Sequence, residues 1–382
     1  MFSELMENFF IDHKKVGDNQ PTLVIAEAGV NHNGDVKIAK KLCDAAKNAG
    51  ADIVKFQTWK TEELMTPNLK TANYQKNNTN ETSQFDMAKK LELSFESFRE
   101  ISDYCKKIGI IFLTTPEDEM SVDFIDSLGT PGFKIGSDDL DNLRLIKHIA
   151  KKQKPIIIST GMSTLLEVMM TFNFVKKFNE KIAFLHCTSN YPTNLSDVNL
   201  NSLISMKQKL PSLLGYSDHT TETWVPLIAI GLGAKIIEKH ITLNKTSVGP
   251  DHRSSLDEKE FAEMVKLIRI WEKEITMPFS KNDIISNCNK IMKKDMTNKI
   301  NLVLGASKKQ PTNSEIPIMK VVKKTIVARK IIHKGEKITN ENITVKRAGS
   351  VNISPRHYYD IIGKTAKKQI SPNEIIHYET IT

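Results

Sequence analysis

The hydrophobic pattern of the chain is a series of short, nearly unbroken apolar runs that recur through its first 245 residues. Runs of this kind are typical of strands in a parallel sheet whose two faces are covered by helices. Helix-like stretches separate the runs, so strand and helix alternate along the chain. Eight such units predict an α/β fold, a closed (β/α)₈ TIM barrel rather than an open sheet. The runs are TLVIAEAGV (22–30), DIVKFQT (52–58), IIFLTTP (110–116), GFKIGS (132–137), PIIIST (155–160), IAFLHCTS (182–189), LLGYSDH (213–219) and IIEKHIT (236–242).

The stretches between the runs carry helical periodicity with recognisable ends. VKIAKKLCDAAKNAG (36–50) closes on a glycine, a common residue at a helix C-terminus. SFESFREISDYCKKIG (94–109) offers Ser94 as an N-cap and Gly109 as its stop. The connection over residues 59–93 is unusually long and polar, and we expect it to cover the mouth of the barrel.

Each predicted strand begins apolar and finishes in polar or ionisable side chains. In a TIM barrel the carboxyl ends of all eight strands converge on one face, where active sites lie. A barrel without catalysis has no reason to end every strand in this way, so the pattern indicates an enzyme. The strand-end residues are Glu27, Lys55, Gln57, Thr115, Lys134, Ser137, Ser159, Ser189, Ser217, His219, Glu238 and His240.

The periodicity weakens after a last barrel helix predicted at 256–274. The following stretch is rich in Lys and Asn and indicates a linker, compatible with a disordered tether or with an ordered segment. Further on, 328–338 resembles 366–376, and this faint repeat predicts two β-turn-β units in a small β-rich domain. We therefore expect a barrel domain over 1–274, a linker over 275–320 and a small domain over 321–382.

Composition and charge narrow the class of protein. Hydrophobic residues are 40% and charged residues 26% of the chain, as in a globular protein. The net charge is +9, and residues 321–382 supply +7 of it with 12 Lys or Arg against 5 Asp or Glu. That basic segment lacks the stacking aromatics of an RNA-binding module, so we expect no nucleic-acid partner. No secretory signal and no apolar run of about 18–20 residues is found, which favours the cytoplasm over a membrane.

Two histidines, His219 and His240, end neighbouring predicted strands. Barrel geometry places their imidazoles within reach of one ion. Neutral imidazoles with water or carboxylate ligands suit Mn²⁺, Co²⁺, Fe²⁺ or Zn²⁺. Either histidine alone would more often be a general base or a hydrogen-bonded core residue, but the pair predicts a metal site, with Asp218 and Glu238 as candidate supporting carboxylates.

Two lysines, Lys55 and Lys134, lie on the second and fourth predicted strands inside an otherwise apolar barrel. Buried ammonium groups are costly without a partner, so the pair predicts an anion between them. Strand-end hydroxyls surround the same mouth and complete a cradle for a phosphate or carboxylate. They belong to Thr115, Ser137, Ser159, Ser189 and Ser217. Any single serine could instead cap the helix that follows it.

Three carboxylates are candidates for catalysis or sugar binding. Glu27 and Asp139 could position water or transfer protons. The turn VGPDHRSS (248–255) would carry Asp251 over the mouth, either to accept a sugar hydroxyl or to stabilise the turn itself.

Seven short motifs and the basic tail occur together in a characteristic order. The motifs are IAEAGVNHNG, ADIVKFQT, FKIGS, ISTGM, HCTSNYPT, GYSDHT and IEKHITL followed by GPDH. The tail carries KGEKIT, VKRAGS, ISP and IIGK. The chain resembles the sialic acid (nonulosonate) synthase family, and its tail resembles that family's C-terminal SAF, or antifreeze-like, domain. The resemblance covers nearly the whole chain except 275–320.

The resemblance implies an enzyme that condenses phosphoenolpyruvate with the open-chain aldehyde of an N-acetylated mannose-type sugar, with release of phosphate. It implies a divalent metal, Mn²⁺ above all, on His219 and His240, and a catalytic Glu27. Arg347, in VKRAG, matches an arginine that the SAF domain of a neighbouring subunit lends to the sugar's N-acetyl group, which implies a domain-swapped homodimer. Positions matching the phosphoenolpyruvate site are Lys55, Thr115, Lys134, Ser137, Ser159 and Ser217, and those matching the sugar site are Gln57, Tyr191 and Asp251.

Two departures from the family pattern affect these assignments. Many members carry Gly-Glu where this chain has Asp138-Asp139, so Asp139 is a shorter candidate for the second catalytic carboxylate. The asparagine that follows Cys-Thr in the family is Ser189 here, with Asn190 next.

The loop and turn motifs also bear on the sugar. KFQT and GPDH resemble N,N'-diacetyllegionaminate synthases more closely than the N-acetylneuraminate branch. This favours 2,4-diacetamido-2,4,6-trideoxymannose as substrate over N-acetylmannosamine, with N-acetylneuraminate and pseudaminate synthases as alternatives. A carbohydrate-binding module without catalysis is the alternative of a different class.

Overall fold

The predicted barrel is confirmed by the structure, a computed structural model that describes residues 8–67, 69–274 and 280–382. Eight parallel strands form one sheet in the order β5-β4-β3-β10-β9-β8-β7-β6, and β5 packs beside β6 to close it. The strands are β3 (Leu23–Gly29), β4 (Ile53–Thr58), β5 (Ile111–Pro116), β6 (Phe133–Ile135), β7 (Ile156–Ser159), β8 (Ile182–Cys187), β9 (Leu213–Asp218) and β10 (Ile236–His240).

An N-terminal hairpin precedes the barrel. Its antiparallel strands are β1 (Asn8–Ile11) and β2 (Lys14–Gly17). Phe9, Ile11 and Val16 pack in one buried cluster with apolar side chains from the barrel strands. This cluster includes the first inward-facing residues of the strands, so the hairpin closes the amino-terminal end and the other end remains for a site.

Helices surround the sheet, and their first and last residues agree with the helix ends predicted from the sequence. Asp35 caps α1 by accepting the amide hydrogens of Lys37 and Ile38. Ser94 caps α5, which stops at Gly109 in the left-handed region with φ 73°. The helices of this part are α1 (Val36–Asn48), α2 (Thr61–Leu64), α3 (Asn73–Thr79), α4 (Gln84–Leu91), α5 (Phe95–Ile108), α6 (Glu119–Ser127), α7 (Leu143–Ala150), α8 (Leu165–Val175), α9 (Ser202–Lys209), α10 (Val225–Gly231) and α11 (Glu258–Glu274). None of the described helices is both long and apolar enough to cross a bilayer.

The segment predicted as a linker is helical over most of its described part. It forms α12 (Lys281–Met292), α13 (Thr297–Leu304) and α14 (Glu315–Val322), whereas 275–279 lie outside the described residues. Ile284 and Val303 are buried in the barrel's helical core. The backbone of Leu200 donates to Val303 O at 2.9 Å. Of the two possibilities that the sequence left open, the ordered one is observed over 280–320.

The C-terminal domain contains the predicted internal repeat. Its two named strands, β11 (Lys324–Ala328) and β12 (Ile343–Arg347), pair antiparallel. Ile332 and Ile370, equivalent positions of the repeat, exchange two backbone hydrogen bonds of 3.0 and 2.9 Å. The equivalent Glu336 and Glu374 each accept an amide hydrogen three residues earlier. The two copies therefore have the same local structure.

The C-terminal domain docks on the open end of the barrel. The amide of Thr66, just after α2, donates to Arg347 O at 2.9 Å. Arg144 of α7 donates to Ile343 O at 2.9 Å and also bonds the Tyr358 hydroxyl. The end of β12 is thereby fixed over the carboxyl ends of the barrel strands.

Candidate active site

One cavity opens at the carboxyl ends of the strands, with an empty volume of about 1090 Å³. Of the fifteen side chains predicted for the site, fourteen line it, and Asp139 does not. The fourteen are Glu27, Lys55, Gln57, Thr115, Lys134, Ser137, Ser159, Ser189, Tyr191, Ser217, His219, His240, Asp251 and Arg347.

The floor of the cavity holds the two lysines on either side of Glu238. Lys55 Nζ lies 2.7 Å from Glu27 Oε2 and 3.7 Å from Glu238 Oε2, and donates to Thr115 Oγ1 at 3.0 Å. Lys134 Nζ donates to Ser159 Oγ at 2.7 Å and lies 3.5 Å from Glu238 Oε1. All of these groups are buried. The predicted pair of lysines therefore converges, but with a carboxylate between them.

The two lysines differ in how many carboxylates lie within ion-pair distance, two for Lys55 and one for Lys134. Burial lowers the pKa of both, but Glu238 and Glu27 raise the pKa of Lys55 above its ordinary value. Lys134 has only Glu238, at 3.5 Å, and burial keeps its pKa below the ordinary value. Burial would raise the pKa of Glu238, yet Lys134 and Lys55 lower it to about 2. An anion on the floor would therefore add a second negative charge beside Lys134, which has one carboxylate partner at 3.5 Å.

A corner of small groups adjoins the lysines. The amide of Gly161 donates to Ser137 Oγ at 2.9 Å, and Ser137 Oγ lies 3.1 Å from Cys187 Sγ. A Cβ on Gly161 would lie 2.2 Å from Ser189 Oγ, which leaves no room for any side chain there. The glycine of ISTGM is therefore required by the close approach of these hydroxyls.

The two histidines meet at the predicted place. Their ring centroids are 5.5 Å apart, and both rings are buried. His219 Nδ1 lies 2.7 Å from Thr188 O, which can only accept, so Nδ1 carries the hydrogen and Nε2, 3.4 Å from Ser217 Oγ, keeps its lone pair for a metal. His240 Nδ1 is buried without a hydrogen-bond partner. Burial lowers the pKa of both histidines. Two neutral rings with free lone pairs fit a divalent metal.

A second group of carboxylates, Glu117, Asp138 and Asp139, also satisfies metal-ligand distances, with oxygen atoms within 4.8 Å of one another. Cationic side chains already form ion pairs with these carboxylates. Lys324 Nζ lies 3.1 Å from Glu117 and 2.5 Å from Asp139, and Arg347 lies 2.6 Å from Asp138. The histidine pair is therefore the better metal candidate.

The outer part of the cavity is aromatic and polar. Tyr191 packs on His219 with centroids 4.3 Å apart, and Tyr74 of α3 stacks on Tyr191 at 5.4 Å. Asp251 Oδ2 lies 3.9 Å from His240 Nδ1. Gln57 donates to Glu27 Oε1 at 2.9 Å. Tyr74 lies in the long connection over 59–93, whose predicted position over the mouth is thus confirmed.

Asp139 lies behind the cavity wall. Its Oδ1 accepts from Asn142 at 2.7 Å and its Oδ2 faces Lys324 of β11. The neighbouring Asp138 lines the cavity instead and pairs with Arg347. Arg347 reaches this position from the C-terminal domain of the same chain.

Several lining residues were not predicted from the sequence. Tyr74 lies in the long connection over 59–93, and Asp138 precedes the predicted Asp139; the sequence did not predict either of them as a site residue. Ile318 and Val322 of α14 line the cavity from a segment without strand-end signals. Glu315, also on α14, accepts the amide hydrogens of Met162 at 2.7 Å and Ser189 at 2.8 Å. Its one available signal was a lone glutamate in a polar stretch, which is too weak to identify a function.

Comparison with known proteins gives the family. Residues 42–278 match the NeuB family model and residues 323–382 match the SAF domain model. The chain is 38% identical to N,N'-diacetyllegionaminic acid synthase of Legionella pneumophila over 374 residues, 96% of this chain and 97% of that protein. It is 39% identical to N,N'-diacetyllegionaminic acid synthase of Campylobacter jejuni, over 93% of this chain and 98% of that protein.

A solved structure agrees in fold. The spore coat polysaccharide biosynthesis protein SpsE of Bacillus subtilis superposes with a TM-score of 0.80 and 31% sequence identity, covering 98% of this chain and 99% of that one. The barrel with its C-terminal domain thus has its counterpart in a solved structure, and the chain belongs to the NeuB family with a C-terminal SAF domain.

Proposed function

We propose that this protein condenses phosphoenolpyruvate with an N-acetylated mannose-type sugar and water, giving a nonulosonic acid and phosphate. The observation that carries the proposal is the incompletely paired Lys134 on a floor of hydroxyls, beside two neutral histidines. Relatives that are synthases of the same product class support it.

The chain's own groups have separable tasks in this reaction. Lys55, Lys134 and the hydroxyls around them bind the phosphate and carboxylate of phosphoenolpyruvate. Carbon 3 of phosphoenolpyruvate forms the new bond to the aldehyde carbon, and the aldehyde oxygen takes up a proton. A water adds to the electron-poor carbon 2 and loses a proton, for which Glu27 is the proposed acceptor. The hydroxyl so formed on carbon 2 gives its remaining proton to the departing phosphate as the carbon–oxygen bond to phosphate breaks, which leaves the keto acid and phosphate.

Metal dependence is general in the family. We assign the metal of this chain to His219 and His240, with Mn²⁺ as the favoured ion. When bound, a divalent metal supplies Lewis-acid polarisation of a carbonyl oxygen. Thr188 O fixes the ring of His219 for this purpose, and Tyr191 covers it from the solvent side.

Among possible sugars, 2,4-diacetamido-2,4,6-trideoxymannose is the favoured one, which would make the product N,N'-diacetyllegionaminate. The identities of 38% and 39% to two synthases of that name support this choice. N-acetylneuraminate and pseudaminate synthase activities are the alternatives, because the sugar substrates of these three activities resemble one another closely.

The test is phosphate release from phosphoenolpyruvate by the full-length protein with Mn²⁺. Each candidate sugar is supplied separately, and the product is identified by mass spectrometry. We expect release with at least one sugar and the fastest release with the diacetamido sugar. If none of the sugars gave phosphate release, the synthase would be contradicted and a carbohydrate-binding protein without catalysis would be the remaining hypothesis.

The domain limits and the assembly are further parts of this proposal. The barrel is taken as 1–274, the linker as 275–320 and the SAF domain as 321–382. A domain-swapped homodimer, implied by the family resemblance, stays a prediction, because the contacts of Arg347 described above lie within one chain.

A further inference from the structure

The described residues that line the cavity include more carboxylates than cationic side chains. Three cationic side chains line it, and each lies close to a carboxylate of the chain. Lys55 lies 2.7 Å from Glu27, and Arg347 lies 2.6 Å from Asp138. Lys134 lies 3.5 Å from a carboxylate oxygen. Among the described lining residues there are five carboxylates, namely Glu27, Glu117, Asp138, Glu238 and Asp251.

The two ends of the cavity differ in what they can bind. The proposed function assigns both lysines to phosphoenolpyruvate, so neither is left for a second anion. At the other end the available cation is Arg347, and its guanidinium faces Asp138 at 2.6 Å and Glu117 at 3.6 Å. Within the described lining, no further lysine or arginine is present to bind a phosphorylated sugar. Placing a dianion beside these carboxylates without a counter-ion is costly.

Arg347 still has a donor to offer. Its Nε is buried and has no hydrogen-bond partner, although its terminal nitrogen is held by Asp138. A neutral carbonyl oxygen, such as that of an acetamido group, could accept from Nε without disturbing the ion pair. A buried unpaired donor in a cavity wall is expected where a ligand completes the bonding.

We propose that Asp138 is a specificity-determining residue, which holds the terminal nitrogen of Arg347, leaves Nε for a neutral acceptor and disfavours sugar phosphates by its negative charge. This inference rests on the proposed function, whose candidate sugars are uncharged, and adds to it the residue that selects them. A purely structural ion pair between domains is the simpler alternative, and Lys324 with Asp139 provides an example of one. Asp138 and Arg347 differ from that pair because both line the cavity.

The first experiment uses the wild-type protein with Mn²⁺ and phosphoenolpyruvate. N-acetylmannosamine and its 6-phosphate ester form a matched pair that differs only in charge and the phosphate. Their apparent affinities are measured as KM where the sugar is turned over, and as inhibition constants against the best sugar substrate where it is not. We expect the 6-phosphate to bind at least about tenfold more weakly. Equal or tighter binding of the 6-phosphate would overturn the inference.

The second experiment assigns the effect to Asp138. Asp138→Asn keeps an oxygen for Arg347 but removes the charge, so the preference for the neutral sugar should fall by about tenfold. Asp141→Asn is the matched control, because Asp141 lies on the same loop, bonds Ser354 Oγ at 2.8 Å and does not line the cavity. Its sugar preference should be unchanged. An unaltered preference in Asp138→Asn would refute the role of Asp138.

Two features keep this test separate from the test of the proposed function. The absence of phosphate release with every sugar tested would refute the synthase. Release with a neutral sugar, combined with good binding of the 6-phosphate, would refute the present inference alone. An unchanged KM for phosphoenolpyruvate in Asp138→Asn would show that the variant is folded and that its floor is intact.

Discussion

Two imidazoles on neighbouring strands share one property, a free ring nitrogen in a site where burial keeps the ring neutral. His219 owes its free Nε2 to the bond from Nδ1 to Thr188 O. His186, on β8, is an instructive contrast, because it is equally buried and its Nε2 bonds Val198 O at 2.8 Å, yet it does not line the cavity. Burial alone therefore does not identify a histidine as a candidate metal ligand. Its position at the mouth of the barrel does.

This contrast gives a prediction for metal binding. His219→Ala should weaken Mn²⁺ binding by at least about 100-fold and abolish metal-dependent turnover, because one of two imidazole ligands is lost. Metal bound after dialysis is measured by elemental analysis, together with phosphate release. His186→Ala is the control, with a similar loss of buried volume and unchanged metal content. Full metal content in His219→Ala would remove this residue from the site.

Lys134 and Lys239 are both buried lysines with opposite roles. Lys239 Nζ bonds Asp218 at 2.6 Å, Thr220 O at 2.5 Å and Glu222 O at 3.0 Å, so its charge has close partners, although burial still lowers its pKa. Lys134 has its closest carboxylate at 3.5 Å. Removing a buried charge that has a close partner leaves that partner charged and unpaired, which destabilises the protein. Removing a buried charge without a close partner removes its desolvation cost instead.

The two lysines should therefore respond differently to the same substitution. In the ligand-free protein, Lys239→Met should lower the free energy of unfolding by about 3 kcal/mol, and Lys134→Met should leave it unchanged or raise it. Lys134→Met should at the same time raise the KM for phosphoenolpyruvate by about 100-fold or more, since a charge-assisted contact is lost. Denaturant unfolding and steady-state kinetics measure both effects. A large loss of stability in Lys134→Met would show that its charge is already satisfied within the chain.

At the scale of elements, α14 connects the barrel to the C-terminal domain and also forms part of the cavity wall. Glu315 fixes the start of this helix through the amides of Met162 and Ser189, and Ile318 and Val322 then face the cavity. Lys324 follows immediately on β11 and is buried against Glu117 and Asp139. The helix thus sets the position of the SAF domain over the strand ends.

Loosening α14 should affect stability and sugar binding together. Glu315→Ala should lower the free energy of unfolding by about 2–4 kcal/mol, because two buried amides lose a charged acceptor. The KM for the sugar should rise more than the KM for phosphoenolpyruvate, which binds on the floor. Glu263→Ala, at an exposed position of α11, is the control and should change stability by less than about 0.5 kcal/mol. If Glu315→Ala matched this control, the helix would be held by other contacts.

At the scale of the whole molecule, the main question is whether the Arg347 that lines a cavity belongs to the same chain or to a partner chain. The resemblance implies a swapped homodimer, whereas the described contacts bring Arg347 to the cavity of its own chain. Co-expression of Lys55→Ala with Arg347→Ala distinguishes the two. In a swapped dimer each mixed pair regains one intact site, so about a quarter of the wild-type activity should return. Without a swap no site is intact, and the mixture should be as inactive as either variant alone.

The sequence by itself determined the barrel and most of its site, because strand identity, strand polarity and side-chain position follow from a local pattern. Once eight parallel strands close, their carboxyl ends must meet, and Glu27, Lys55, His219 and His240 are brought together by that geometry. The internal repeat of the C-terminal domain was readable for the same reason, since equivalent residues take equivalent turns.

The tertiary structure decided what depends on contacts between distant segments. Asp138 and Asp139 are adjacent in sequence, and only the docking of β11 and β12 turns one toward Arg347 in the cavity and the other toward Lys324 behind it. The contribution of α14 to the cavity wall depends on the anchoring of Glu315, more than 120 residues along the chain from its two amide partners. Such pairings carry no local periodicity, so no sequence pattern predicts them, and packing alone determines them.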